Sequence, residues 1–168
     1  MSHVSDEALR SGADELGELL RQRGLMITTA ESCTGGWIAK ALTDTPGSSD
    51  YFGTGLVTYS NAAKEGLIGV TPLSLEKQGA VSEAVVREMV LGTLTFTGAD
   101  LAVAVSGVAG PDGGTDDKPV GTVWFAWGDG SGDPQAVCER FAGDREAVRR
   151  QSVLFALQGV RGYLQDNR

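Results

Sequence analysis

The sequence predicts an α/β fold: a three-layer α/β/α domain with a mixed, mostly parallel sheet, in a single domain over residues 1–168. Three observations predict it. Segments with strand patterning alternate with segments whose apolar residues recur at helical spacing. Residues 100–106 form a nearly continuous apolar run, as a strand covered on both faces requires. Two alternating segments, 119–128 and 135–142, flank the turn-rich Asp129-Gly130-Ser131-Gly132-Asp133-Pro134 and read as a late hairpin.

Taken in order, residues 1–5 read as a frayed lead and residues 6–23 as an amphipathic helix. Leu9, Ala13, Leu16, Leu19 and Leu20 share its apolar face, and Gly24 stops it. Residues 25–30 are an apolar strand, which runs through Glu31-Ser32-Cys33-Thr34-Gly35-Gly36 into a helix ending near Leu42. The cluster Asp44-Thr45-Pro46-Gly47-Ser48-Ser49 breaks that helix. Residues 51–60 alternate as a strand, residues 61–68 form a short helix with Asn61 as its cap, and Thr71-Pro72 opens another. Ser82-Glu83 begins a helix to about Thr97, with Val85, Val86, Met89, Val90 and Leu94 inward. After the glycine-rich residues 107–118 and the hairpin, Asp144 caps a last helix carrying Val148, Val153, Leu154, Ala156, Leu157 and Leu164.

Composition narrows the function. A chain of 168 residues, 41% hydrophobic and 21% charged, is enough for one real core. A net charge of -8 argues against nucleic-acid binding, which requires clustered Lys and Arg. Cys33 and Cys138 lie far apart and fit no metal or disulfide pattern. The start of the chain lacks a basic-then-apolar signal and no run reaches membrane-spanning length, so the expected location is cytoplasmic.

The strand-to-helix junction at Ser32 has the makings of a reactive site. A helix start offers unpaired N–H groups and partial positive charge, and glycines let a ligand approach the backbone. Ser32 or Cys33 is then a candidate nucleophile, with the Thr34, Gly35 and Gly36 amides as anion donors; the plain alternative is a capped helix with packing glycines. The sole histidine, His3, sits in the lead, which removes Ser-His-Asp and Cys-His chemistry, and a tight zinc or iron site lacks ligands, so no metal is expected. A base must come from a lysine, a carboxylate or an assisted tyrosine. Lys77, in a Ser-x-x-Lys spacing, and Lys40 both read as solvated helix positions. Lys64 follows Tyr59-Ser60-Asn61 at the end of a strand, where a phenol and an ammonium can converge. Its amine must fall roughly three units, about 4 kcal/mol, to act at neutral pH.

A second glycine-rich stretch, Ser106-Gly107-Val108-Ala109-Gly110-Pro111-Asp112-Gly113-Gly114, follows the buried strand and fits neither standard nucleotide pattern. It can present N–H groups to a phosphate, carboxylate or ribose, with Lys118, Arg145 and Arg149 as the nearby cations, or serve as a long surface turn.

Together, Thr29-Ala30-Glu31-Ser32-Cys33-Thr34-Gly35-Gly36, Gly47-Ser48-Ser49, Val57-Thr58-Tyr59-Ser60-Asn61 with Lys64, Gly79-Ala80-Val81-Ser82, Ser106-Gly107-Val108-Ala109-Gly110-Pro111, Lys118-Pro119-Val120-Gly121-Thr122-Val123 and Gly143-Asp144-Arg145 resemble the CinA carboxy-terminal domain family, over about residues 9–164. The chain looks like the family's stand-alone form. The resemblance implies an amidase that converts nicotinamide mononucleotide to nicotinic acid mononucleotide and ammonia in NAD recycling, without a cofactor. It implies a catalytic Ser32, Tyr59 and Lys64, with Ser32 as nucleophile, Lys64 as base and the Tyr59 phenol relaying or orienting the proton. Oxyanion and substrate contacts are expected from Thr34, Gly35, Gly36, Ser48, Asn61, Ser106, Gly107, Gly110, Gly113, Gly114, Lys118 and Arg145, with Cys33 a packed residue. A homodimer or larger homo-oligomer is expected. The rival reading is a non-catalytic module that binds a pyridine nucleotide or ADP-ribose; a third, a stress-related partner-binding protein, follows from the family's association with competence and DNA damage, but the acidic charge gives no support to direct DNA contact.

Overall fold

The computed structural model describes residues 3–168. Six helices flank one five-stranded sheet: α1 (Asp6–Arg23), β1 (Ile27–Glu31), α2 (Trp37–Thr43), β2 (Phe52–Val57), α3 (Asn61–Ile68), α4 (Pro72–Gln78), α5 (Glu83–Thr97), β3 (Leu101–Gly107), β4 (Thr122–Gly128), β5 (Gln135–Arg140) and α6 (Arg145–Asp166). The strand order is β2-β1-β3-β4-β5. β1 runs parallel to both β2 and β3, whereas β3-β4 and β4-β5 are antiparallel. The sheet is therefore mixed as expected, with its pairings evenly divided rather than mostly parallel, because the late hairpin adds two antiparallel ladders.

Local signals set the element ends. Ser5 accepts from the Ala8 N–H at the start of α1, so the expected frayed lead stops short of it; Met1 and Ser2 lie outside the described residues. Gly24 closes α1 in the left-handed conformation, with Asp6 and Glu7 in the first turn and Arg21 and Arg23 in the last, as the helix dipole favours. Ser60, not Asn61, caps α3 by accepting from the Ala63 N–H, and Asn61 is its exposed first residue. Thr71, Ser82 and Asp144 cap α4, α5 and α6 in the same way.

Strand alternation divides the core into two layers. Leu101, Val103 and Val105 of β3, with Val123, Phe125 and Trp127 of β4, face α1, α2 and α6; there Phe155 packs 4.6 Å from the Phe125 ring centroid. Ala30, Ala102, Ala104 and Ala126 face the other way, against Val85, Val86, Met89 and Val90 of α5. These small side chains let α5 lie close to the sheet. Gly92 serves the same end, since a β-carbon there would sit 1.7 Å from the Ile68 carbonyl oxygen at the end of α3.

The chain leaves β1 for β2 on one side and reaches β3 on the other. The crevice at the carboxyl ends of β1 and β3 is consequently a topological switch point, where α/β sheets receive ligands.

Candidate active site

Ser32 lies one residue past β1, at that crevice. Its N–H donates to the Val105 carbonyl, which extends the β1-β3 pairing, and on the other side the Thr58 N–H donates to the Glu31 carbonyl. The end of β2 is thereby drawn alongside Ser32, and the turn into α3 brings Lys64 back over it.

The Lys64 side chain is 1% exposed. Its Nζ donates to Ser32 Oγ at 2.9 Å, to the Thr58 carbonyl at 2.7 Å and to the Tyr59 carbonyl at 3.2 Å. The Ser32 hydroxyl in turn donates to the Tyr59 carbonyl at 3.4 Å. Among the described residues, no carboxylate forms an ion pair with Lys64. Burial without a counter-charge lowers the ammonium to a pKa of about 8, where a useful fraction is the neutral amine near physiological pH. The neighbouring Cys33 thiol is pushed up to about 12 by burial, so it stays protonated and poorly nucleophilic.

Around this pair is a cavity of about 280 Å³, lined by Ser32, Tyr59 and Lys64, by Ser106 and Gly107 at the end of β3, by Gly110, Asp112 and Gly113 of the loop that follows, and by Arg145. Two larger concavities, one between α3 and α5 and one beside Trp124, contain neither Ser32 nor Lys64. The Ser32–Lys64 pair therefore opens into the smaller one. Arg145 donates to the Gly110 carbonyl at 2.7 Å and to the Tyr59 hydroxyl at 3.2 Å, leaving a cation at the mouth.

A family model described as the CinA C-terminal domain matches residues 9–164. This chain belongs to the CinA C-terminal domain family. It is 53% identical over 155 residues to the nicotinamide-nucleotide amidohydrolase PncC of Escherichia coli K12, covering 92% of this chain and 94% of that one. It is 58% identical over 150 residues to the Pseudomonas putida protein of the same name, covering 88% and 92%. Among solved structures, a CinA superfamily protein from Klebsiella pneumoniae superposes with a TM-score of 0.90 at 44% identity, covering 94% of this chain and 98% of that one.

Not every expected site residue of this CinA domain reaches the cavity. Ser32 and Lys64 meet through their side chains. Tyr59, an exposed residue, meets them through its main-chain carbonyl, while its phenol oxygen accepts from Arg145. Ser106, Gly107, Gly110, Gly113 and Arg145 line the cavity as expected.

Thr34, Gly35 and Gly36 do not line it. The reason is Glu31, a buried carboxylate that the sequence reading passed over. Its Oε1 accepts from the Thr34 hydroxyl at 2.7 Å and the Ile38 N–H at 2.8 Å, and its Oε2 from the Ala39 N–H at 3.0 Å. The amino end of α2 is thus already occupied by an internal carboxyl group. The Gly35 N–H is also spent, on the Ser32 carbonyl. Among the described residues, the N–H groups of Cys33 and Thr34 donate to no main-chain carbonyl, which leaves them as the nearest candidate donors beside the serine. Burial pushes the Glu31 carboxyl up, and its three donors oppose that shift. The clue in the sequence was an acidic residue closing an apolar strand.

Ser48 lies beyond α2, in the short helix Ser48–Asp50; α2, seven residues and about 10 Å long, separates it from the turn that carries Ser32. Asn61 is on the outer surface of α3. Gly114 packs under the Val120 backbone, and Lys118 bonds the Gln78 carbonyl beside the neighbouring concavity. Of the three expected cations, only Arg145 serves the cavity.

Proposed function

We propose that this chain hydrolyses the carboxamide of nicotinamide mononucleotide, giving nicotinic acid mononucleotide and ammonia for pyridine-nucleotide recycling. The carrying observation is the 2.9 Å contact between Ser32 Oγ and a buried lysine of lowered pKa. The name borne by the Escherichia coli and Pseudomonas putida relatives supports the substrate.

The chemistry needs the neutral form of Lys64. Its Nζ takes the Ser32 proton as Oγ bonds to the carboxamide carbon, and the carbonyl electron pair moves onto oxygen. The Cys33 and Thr34 N–H groups, which donate to no main-chain carbonyl among the described residues, stabilise the oxyanion. When the carbonyl re-forms, the C–N bond breaks and the Lys64 ammonium supplies the proton with which ammonia departs. Water then attacks the Ser32 ester, again giving its proton to Lys64; as the tetrahedral intermediate collapses, the C–Oγ bond breaks, Lys64 returns the proton to Ser32 Oγ and the acid product leaves. Tyr59 acts through its carbonyl, which steers the ammonium and the hydroxyl.

Arg145 holds the phosphate, and Asp112 with the loop amides faces the ribose. A cavity of about 280 Å³ suits a mononucleotide better than a dinucleotide. Among the described residues, no helix is long and apolar enough to cross a membrane, which is consistent with work in the cytoplasm on a nucleotide pool. Exposed Leu67, Leu91 and Phe96 around the α3-α5 groove support self-association as a homodimer or larger assembly.

Ammonia release measured with nicotinamide, its riboside and its mononucleotide tests the reading. Turnover of the mononucleotide well above that of the other two is expected; no release from any of them contradicts it.

A further inference from the structure

Arg149 is the one cation of the expected trio that turns inward without entering the cavity. Its Nε donates to the Cys33 carbonyl at 3.1 Å and its Nη2 to the Thr34 carbonyl at 3.3 Å. The guanidinium carbon lies 5.6 Å from the centre of the Trp37 ring, so the fork is held on a face as well as at its tips. Gly35 makes room for it: at φ 60° the residue is left-handed, and a β-carbon there would come within 3.1 Å of Arg149 Nη2.

The turn carrying Ser32 is therefore gripped from two sides. Glu31 takes the amides at its helical end, and Arg149 takes the carbonyls of the two residues after the serine. A trans peptide points its C=O and the next N–H in opposite directions. Holding the Cys33 carbonyl toward α6 thus fixes the Thr34 N–H away from it, and fixes the backbone from which Ser32 Oγ projects to Lys64. We infer that Arg149 is a positioning residue for the serine nucleophile, acting through the Cys33 and Thr34 carbonyls. This rests on Ser32 being the nucleophile of the proposed amidase.

Arg150 is the built-in comparison. It stands over the same indole at 5.2 Å, but its polar contacts go to Asp6, Glu146 and the Val4 carbonyl, which tie down α1 and α6. Arg149 makes no ion pair among the described residues, so a lysine, with one charged point in place of a planar fork, cannot reproduce its two bonds.

The test compares wild type with Arg149→Met, Arg149→Lys and Arg150→Met. Three quantities are measured: melting temperature, kcat and KM for nicotinamide mononucleotide, and the rate at which a fluorophosphonate labels Ser32. Arg149→Met is expected to lose about ten- to a hundredfold in both kcat and labelling rate, with KM within about twofold of wild type. Arg149→Lys recovers part of the loss, and Arg150→Met lowers the melting temperature while retaining both rates. Wild-type labelling and turnover in Arg149→Met, or an equal loss in Arg150→Met, overturns the inference. If wild type releases no ammonia, the amidase reading fails separately, and the labelling rates still decide the role of Arg149.

Discussion

Lys64 Nζ stands 2.9 Å from Ser32 Oγ inside the fold, bonded also to two main-chain carbonyls and, among the described residues, ion-paired with no carboxylate. A buried amine without a counter-ion is costly to keep charged, and that cost raises the share of neutral amine that the proposed mechanism draws on.

The pH dependence follows from it. With a pKa of about 8, Lys64 is roughly one-tenth neutral at pH 7, so log kcat/KM should rise with unit slope below pH 8 and level off above it. The stability linkage has the same origin. The unfolded lysine titrates near 10.5, so between about 8 and 10.5 the unfolded chain binds more protons and stability rises with pH, by about 3 kcal/mol in total. Denaturant melts of wild type and Lys64→Met across pH 7–11 measure this. The difference should shift toward wild type over that window; a pH-independent difference contradicts a depressed amine.

Replacing Tyr59 by Phe keeps the carbonyl contacts to Lys64 and Ser32 and removes only the hydroxyl that meets Arg145. Steady-state kinetics should give kcat within about threefold of wild type and a changed KM. A collapse of kcat with unchanged KM would restore the phenol relay. Cys33→Ala should likewise retain kcat, because the buried thiol stays protonated.

Arg145→Gln should raise KM for the mononucleotide by about ten- to a hundredfold, the worth of one charge-assisted contact to phosphate. The riboside should be handled much as in wild type. An equal loss for both substrates would mean that Arg145 only supports the loop through Gly110.

Glu31→Ala strands the Thr34 hydroxyl and the Ile38 and Ala39 N–H groups in a buried setting. Urea unfolding should show a loss of at least about 2 kcal/mol, with Glu31→Gln losing less because an amide oxygen still accepts. A loss under 0.5 kcal/mol, the scatter of ordinary surface changes, would mean that water replaces the carboxylate.

Much of this arrangement was legible in the sequence. Caps and glycine stops marked α1, α4, α5 and α6, and the poverty in histidine directed attention to lysines. Sequence could not say which atoms of a residue are used. Tyr59 was read as a phenol and enters through its carbonyl. Nor could it separate Arg145 from Arg149, one turn apart on α6: the first opens the helix beside the loop after β3, while the second meets the turn after β1. Glu31 was hidden because an acid at a strand end ordinarily reads as solvated, and only the return of α2 buries it.

Ammonia release from nicotinamide mononucleotide by Ser32→Ala, measured beside wild type and with folding verified by circular dichroism, tests the central claim most directly. A folded variant at least about a thousandfold slower than wild type is the predicted result. Turnover surviving in Ser32→Ala would contradict a serine nucleophile at this site.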